Sequence, residues 1–161
     1  MPHPLTLWTA RAVAACCLLA WLLALHGARR EPRGFRTWRV VWTCGCVLLA
    51  VHIAVAMHCE HDWSHAAAYE HTTQQTKDIV GINWGGGLYF NYAMLVLWAA
   101  DVGLQWRQSE GQRHFVSRLN EWFCAFMLLN ATVVFGPWWW WLVAIAFGIV
   151  ASAVRSWTRV D

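Results

Sequence analysis

Long apolar runs broken by arginine-bearing connectors constrain this chain more than any other feature. Residues 4–26, 40–57, 84–106, 119–135 and 138–154 are apolar. Each approaches the about 20 residues, at about 1.5 Å rise apiece, that cross a bilayer as a helix. In hydrocarbon a helix satisfies its own backbone groups, which an open strand cannot do. The expected fold is therefore an all-α, polytopic integral membrane bundle of about five transmembrane helices. A re-entrant last segment would reduce the count to four. Composition agrees: 58% of residues are hydrophobic, 13% are charged and fourteen are tryptophan, where a soluble domain carries roughly 25% charged residues. Residues 1–161 read as one membrane domain.

Charge sets the expected orientation. Residues 27–39 hold Arg29, Arg30, Arg33, Arg36 and Arg39 against a single Glu31, with Pro32 and Gly34 marking a loop. The positive-inside rule makes that loop cytoplasmic and the N-terminus external. Residues 58–83 carry one lysine and no arginine, so they read as extracytoplasmic, with a short interfacial helix from Trp63 that ends before Gly81. Arg107, Arg113 and Arg118 mark the next inner loop, and Arg155 and Arg159 an inner C-terminus. Gly136-Pro137 and the tryptophans at 138–141 place a turn at the outer interface, with Trp122 and Trp157 at the inner one. The location expected is a cell membrane, of the bacterial inner-membrane kind. The first apolar run reads as a retained helix, because the stronger basic cluster follows it, the reverse of a signal peptide.

Partners follow from the same pattern. The first is the lipid bilayer; the second is another membrane protein or a second copy of the chain. Ala144, Gly148 and Ser152 form a small-residue stripe that permits close helix contact, more often within a chain than between chains. No nucleic-acid motif accompanies the net charge of +3. Five of the six cysteines fall in apolar runs, where cysteine acts as a small hydrophobe, so no disulfide framework is expected.

Candidate chemistry concentrates at residues 58–71, which hold four of the eight histidines and three of the nine carboxylates. If helix continues through this stretch, His58, His61 and His65 share one face and Asp62 adjoins them. Imidazoles with one carboxylate suit a Zn, Cu or Fe ion, three ligands leaving a position open. Glu70 and His71 would stand behind them as supporting groups. The competing account is a solvated polar segment, with Asp62 as the N-cap of a helix starting at Trp63.

A second pattern lies deeper. Arg11, His52, Asn91 and Asn130 each fall six or seven residues below the expected outer edge, about 9–10 Å into the membrane. Together they would make a polar pocket layer beneath the histidines, with Tyr89 and Tyr92 beside it. The alternative has Arg11 reaching to headgroups and the amides acting as packing contacts. Asp101, near the inner end of its helix, is expected to pair with Arg39 or Arg118. Three glycines at 85–87 suggest close backbone approach or a hinge. Haem is disfavoured, since only His52 is well inside the bilayer and His26 and His114 belong to the opposite side. Asn130-Ala131-Thr132 matches a glycosylation sequon but lies within an expected span.

The sequence names no reaction. Its leading functional expectation is an outward-facing transition-metal site for metal handling or metal-dependent chemistry. Its alternative is a non-catalytic accessory or scaffold subunit of a larger membrane complex. A small transporter or haem-binding membrane protein comes third.

Overall fold

A computed structural model describes residues 3–107 and 115–157, and every regular element in them is helical. Arg113, His114 and Arg159, and the side chain of Trp157, lie outside the described residues. The elements are α1 (Pro4–Leu25), α2 (Pro32–His61), α3 (His65–Val80), α4 (Gly87–Arg107), α5 (Phe115–Leu129) and α6 (Trp140–Trp157). Three of them, α1, α2 and α4, are long and apolar enough to cross a membrane, and α6 is a shorter apolar helix. An all-helical membrane bundle fits this arrangement.

The arginine connector is the first departure from expectation. Gly27, at φ 88°, ends α1 in the left-handed conformation, and one 3-10 turn (Ala28–Arg30) leads straight into α2. Pro32 opens that helix, where its missing N–H costs nothing. Arg33, Arg36 and Arg39 therefore ride on helix and not on loop. A Cβ on Gly34 would lie 2.6 Å from the Ala28 carbonyl oxygen, so glycine lets the connector cross α2 closely. At 30 residues α2 extends about 45 Å, longer than a hydrocarbon core of about 30 Å. Its ends must project beyond the apolar layer, which is how a charged connector can be helical. We call that side the arginine end and the opposite one the histidine end.

The second departure is at the histidine end. Asp62 and Trp63 both adopt left-handed φ values, 45° and 60°. The Trp63 N–H donates back to the Met57 carbonyl at 2.8 Å, and that of Ser64 to His61 at 2.7 Å, closing α2. Ser64, not Asp62, is the N-cap of the next helix, its hydroxyl accepting from the Ala67 N–H at 3.2 Å. The short helix foreseen from Trp63 is thus α3, which ends at Gly81. Ala68 of α3 packs on Met57 and Leu88, across the ends of α2 and α4. Gly85 explains part of the glycine run: a Cβ there would sit 2.5 Å from both the Thr73 hydroxyl and the Tyr69 carbonyl. Close backbone approach is the reason for that glycine.

The core lies between α1, α2, α4 and α5, around Cys17, Trp38, Trp42, Cys46, Trp98 and Cys124. A Cβ on Gly45 would meet Trp98 at 2.8 Å and Cys16 at 3.3 Å, so three helices converge there. Helix α5 starts before the expected residue 119 and runs into a π turn, Asn130–Val134. Asn130 and Thr132 there donate to the Phe126 and Leu128 carbonyls, at 2.8 and 2.6 Å, drawing those oxygens from the regular ladder. Helix α6 packs beside α1 and buries no residue fully. Among the described residues, nothing outside its own helix turn comes within 4 Å of a Cβ on Gly148, so the small-residue stripe makes no close packing there.

Candidate functional site

Helices α2, α4 and α5 meet at Asp101, which is 1% exposed. Four neutral donors reach it. Trp42 Nε1 and Asn120 Nδ2 donate to Oδ2 at 2.8 and 3.1 Å; the Ser117 hydroxyl and Gln105 Nε2 donate to Oδ1 at 2.6 and 3.3 Å. The spacing explains the convergence: Asp101 and Gln105 are four apart on α4, while Ser117, Asn120 and Cys124 fall on one face of α5. An unpaired buried carboxylate would be costly, and these donors offset that cost. The ion pair expected with Arg39 or Arg118 does not form. Arg39 donates instead to the Gln105 carbonyl at 3.1 Å and lies 4.1 Å over the Trp106 ring, while Arg118 is exposed. Arg39 is engaged one turn along α4 from Asp101, and Arg118 lies on the exposed face of α5 while its neighbour Ser117 faces Asp101.

Gln105 and Ser117 also form the floor of a cavity of about 600 Å³ that opens at the arginine end. Its walls include Trp21, Arg29, Arg30, Phe35, Trp38, Glu121 and Phe147. Arg29 pairs with Glu121 at 2.5 Å and stacks 3.8 Å over the Trp38 ring. Behind that cation an aromatic stack runs inward. Phe35–Trp38 and Trp38–Trp42 are each 5.8 Å between centroids, and Trp42–Trp98 is 4.6 Å. Trp38 is itself 1% exposed, and its indole N–H has no hydrogen-bond partner among the described residues.

The cavity adjoins an apolar crevice of about 170 Å³ between α1, α5, α6 and the π turn. Trp21 and Phe147, 6.3 Å apart, belong to both. A more open recess of about 520 Å³ lies along Arg118, Glu121 and Trp122, sharing Trp21 and Glu121 with the cavity. The cavity thus sets Arg29, Arg30, Gln105, Ser117 and Glu121 in a largely apolar wall, while the crevice is lined almost wholly by aliphatic and aromatic groups. That division suits a molecule with one polar end.

The histidine end is arranged differently from expectation. The break at Asp62 and Trp63 turns the four foreseen ligands apart. His58 faces Trp63 at 6.5 Å, His61 faces His71 at 5.3 Å, and His65 lies on Tyr89 and Tyr92 at 5.7 and 6.0 Å. Asp62 is the exposed C-cap of α2. Glu70 is exposed on α3. Among the described residues no group of three or more His, Cys, Asp and Glu side chains is placed to hold a metal ion. Glu60 accepts from the His3 N–H at 2.5 Å and the Thr6 hydroxyl at 3.0 Å, joining α1 to α2.

Arg11, His52, Asn91 and Asn130, the deeper layer, sit on α1, α2, α4 and the π turn. Arg11 lies over the Trp8 and Trp139 rings at 4.9 and 5.6 Å, and His52 Nδ1 meets the Thr9 hydroxyl at 3.0 Å. Asn130 bonds its own helix, and Asn91 is half-buried on α4. Tyr92 donates to the Met57 sulfur at 3.9 Å.

Sequence reasoning passed over Arg29, Trp38, Ser117, Asn120 and Glu121. A signal existed for two of them. Starting the fifth helix at 115 instead of 119 places Ser117 and Asn120 on the face of Cys124, opposite Asp101. Trp38 was hidden by reading residues 27–39 as loop. No known protein family, characterised protein or solved structure matches the chain significantly, so geometry alone carries the functional argument.

Proposed function

We propose that this protein is a membrane-embedded binding subunit whose site is the cavity at the arginine end, and that its ligand is an amphiphile. One observation carries the reading: the cavity that holds the charged and polar groups shares Trp21 and Phe147 with an apolar crevice. The head lies among Arg29, Arg30, Gln105 and Ser117, and the apolar chain lies between α1, α5 and α6. Binding sites commonly combine an apolar lining with a few polar groups that fix orientation. By the positive-inside rule the mouth faces the cytoplasm.

The test is photolabelling of the full chain in bilayers with a diazirine-bearing fatty acid, mapped by mass spectrometry. Label is expected around Trp21 and Phe147, and its loss when Ala144→Trp fills the crevice. Uniform label over all lipid-facing helices, unchanged by Ala144→Trp, would remove the reading.

A second reading has one observation in its favour. His61 and His71 come from different helices yet their rings lie 5.3 Å apart, with Glu60 next in sequence to His61. A Zn or Cu ion handled at this end would take these two imidazoles first. Metal analysis of the purified protein beside His61→Ala and His71→Ala tests it; equal, negligible metal in all three excludes it.

A further inference from the structure

The histidine end carries an apolar surface that the bundle leaves uncovered. Along most of its length α3 is polar where it faces outward: Glu70, Gln74, Gln75, Lys77 and Asp78 are all exposed. Its last turn and the connector to α4 are the reverse. Ile79, Val80, Ile82 and Trp84 are each about half exposed. Single exposed apolar residues need no explanation, but a contiguous group marks a protein or membrane contact.

The connector fixes where these side chains go. Gly81, at φ 77°, stops α3 and redirects the chain. The Trp84 N–H donates to the Ile82 carbonyl at 3.1 Å, which closes a tight turn between them. The Trp84 indole then folds against Gly86, where a Cβ would overlap the ring, so glycine makes room for it. The same indole meets Phe90 of α4 at 5.9 Å, edge to face. Phe90 in turn meets Phe123 and Phe126 of α5, at 6.2 and 6.1 Å. Phe90 and Phe126 are themselves exposed. The apolar surface of the connector thus continues onto the flanks of α4 and α5.

That continuity selects the partner. Helix α4 is long and apolar enough to cross a membrane, and the exposed flank of such a helix faces acyl chains. Tryptophan favours the boundary between those chains and water. A helix lying flat in the interface would need an apolar stripe along its whole length. Large apolar side chains are exposed on α3 only in its last turn. We infer that Ile79, Val80, Ile82 and Trp84 insert into the lipid leaflet at the histidine end, while the outward face of α3 stays in water. Helix α3 is then held at two places: by Ala68 on Met57 and Leu88, and by its C-terminal end in lipid. This surface lies at the opposite end from the cavity, so its test is independent of the amphiphile reading.

The experiment is fluorescence quenching of the full chain reconstituted in phosphatidylcholine vesicles. The six native cysteines are replaced by alanine, and a nitrobenzoxadiazole label is placed on Ile82→Cys or Gln75→Cys. Lipid carrying a nitroxide high on its acyl chain is expected to remove most of the emission at position 82 and little at 75. Iodide, present on both sides of the bilayer, is expected to do the reverse. Iodide quenching at 82 as strong as at 75 overturns the lipid contact. Shielding of 82 from both quenchers assigns the surface to a second copy of the chain and overturns it as well. Should the cysteine-free chain fail to fold, hydrogen exchange of Ile82→Asp in the otherwise native chain carries the test. Amides in the last turn of α3 are then expected to exchange roughly tenfold faster in vesicles, the worth of half-burying one such side chain. An unchanged rate overturns the proposal.

Discussion

At the scale of single residues, Asp101 is the group on which the helix packing turns. It brings Trp42, Ser117, Asn120 and Gln105 from three helices to one point. Replacing it by alanine strands the donors of Trp42, Ser117 and Asn120 in the core, while Gln105 keeps its bond to Ser117. Asp101→Ala is expected to cost at least about 3 kcal/mol, since one unsatisfied buried group already costs about 1–3 kcal/mol. Thermal unfolding in detergent checks this: a loss below about 1 kcal/mol would show that the network contributes little. The sequence made Asp101 visible as an intramembrane carboxylate but suggested the wrong partners. Arginines near a helix end look like natural counter-ions, whereas the structure satisfies Asp101 with uncharged side chains on the buried faces of α2, α4 and α5. Only a three-dimensional register, with α5 beginning at Phe115, reveals those donors.

At the scale of elements, the break between α2 and α3 decides what the histidines can do. A spacing of three and seven residues places His58, His61 and His65 on one face only in unbroken helix. Two consecutive left-handed residues at Asp62 and Trp63 end that continuity. Nothing in the local composition requires them, although Ser64 was readable as a helix start. Gly85 makes the complementary point, because its need for close approach is set by α3 lying over it, a tertiary fact. Gly85→Ala is expected to lift α3 from α2 and α4, since its Cβ would meet Thr73 and backbone of Tyr69. Hydrogen exchange of the α3 amides reads the outcome: faster exchange there than in α4 is predicted, and unchanged protection would mean the contact yields. Ser64→Ala should loosen the first turn of α3 by about 1 kcal/mol through loss of its cap, on the same readout.

At the scale of the whole molecule, apolar runs and arginines made the helical class and the approximate helix positions legible. Helix ends and the place of the arginine-end cavity were not. Ends escaped because α2 outruns the apolar layer and carries charged residues on regular helix at Pro32–His61. The cavity escaped because it is bounded by side chains from five helices, and no local pattern encodes their convergence. Orientation is tested by cysteine accessibility in sealed vesicles, with the six native cysteines replaced by alanine: Ser64→Cys and Trp138→Cys should react with an impermeant maleimide from outside, and Arg33→Cys only from inside. Labelling of Trp138→Cys from the opposite side to Ser64→Cys would redraw the path of α5 and α6.

The amphiphile site itself is tested most directly by crosslinking in living cells at the junction of cavity and crevice. Phe147→p-benzoylphenylalanine places a photoreactive group there, and Val96→p-benzoylphenylalanine places one on an exposed face of α4. The account predicts one dominant amphiphile mass on position 147 and a mixture of bulk lipids on position 96. The same mixture at both positions, or no adduct at 147, would contradict it.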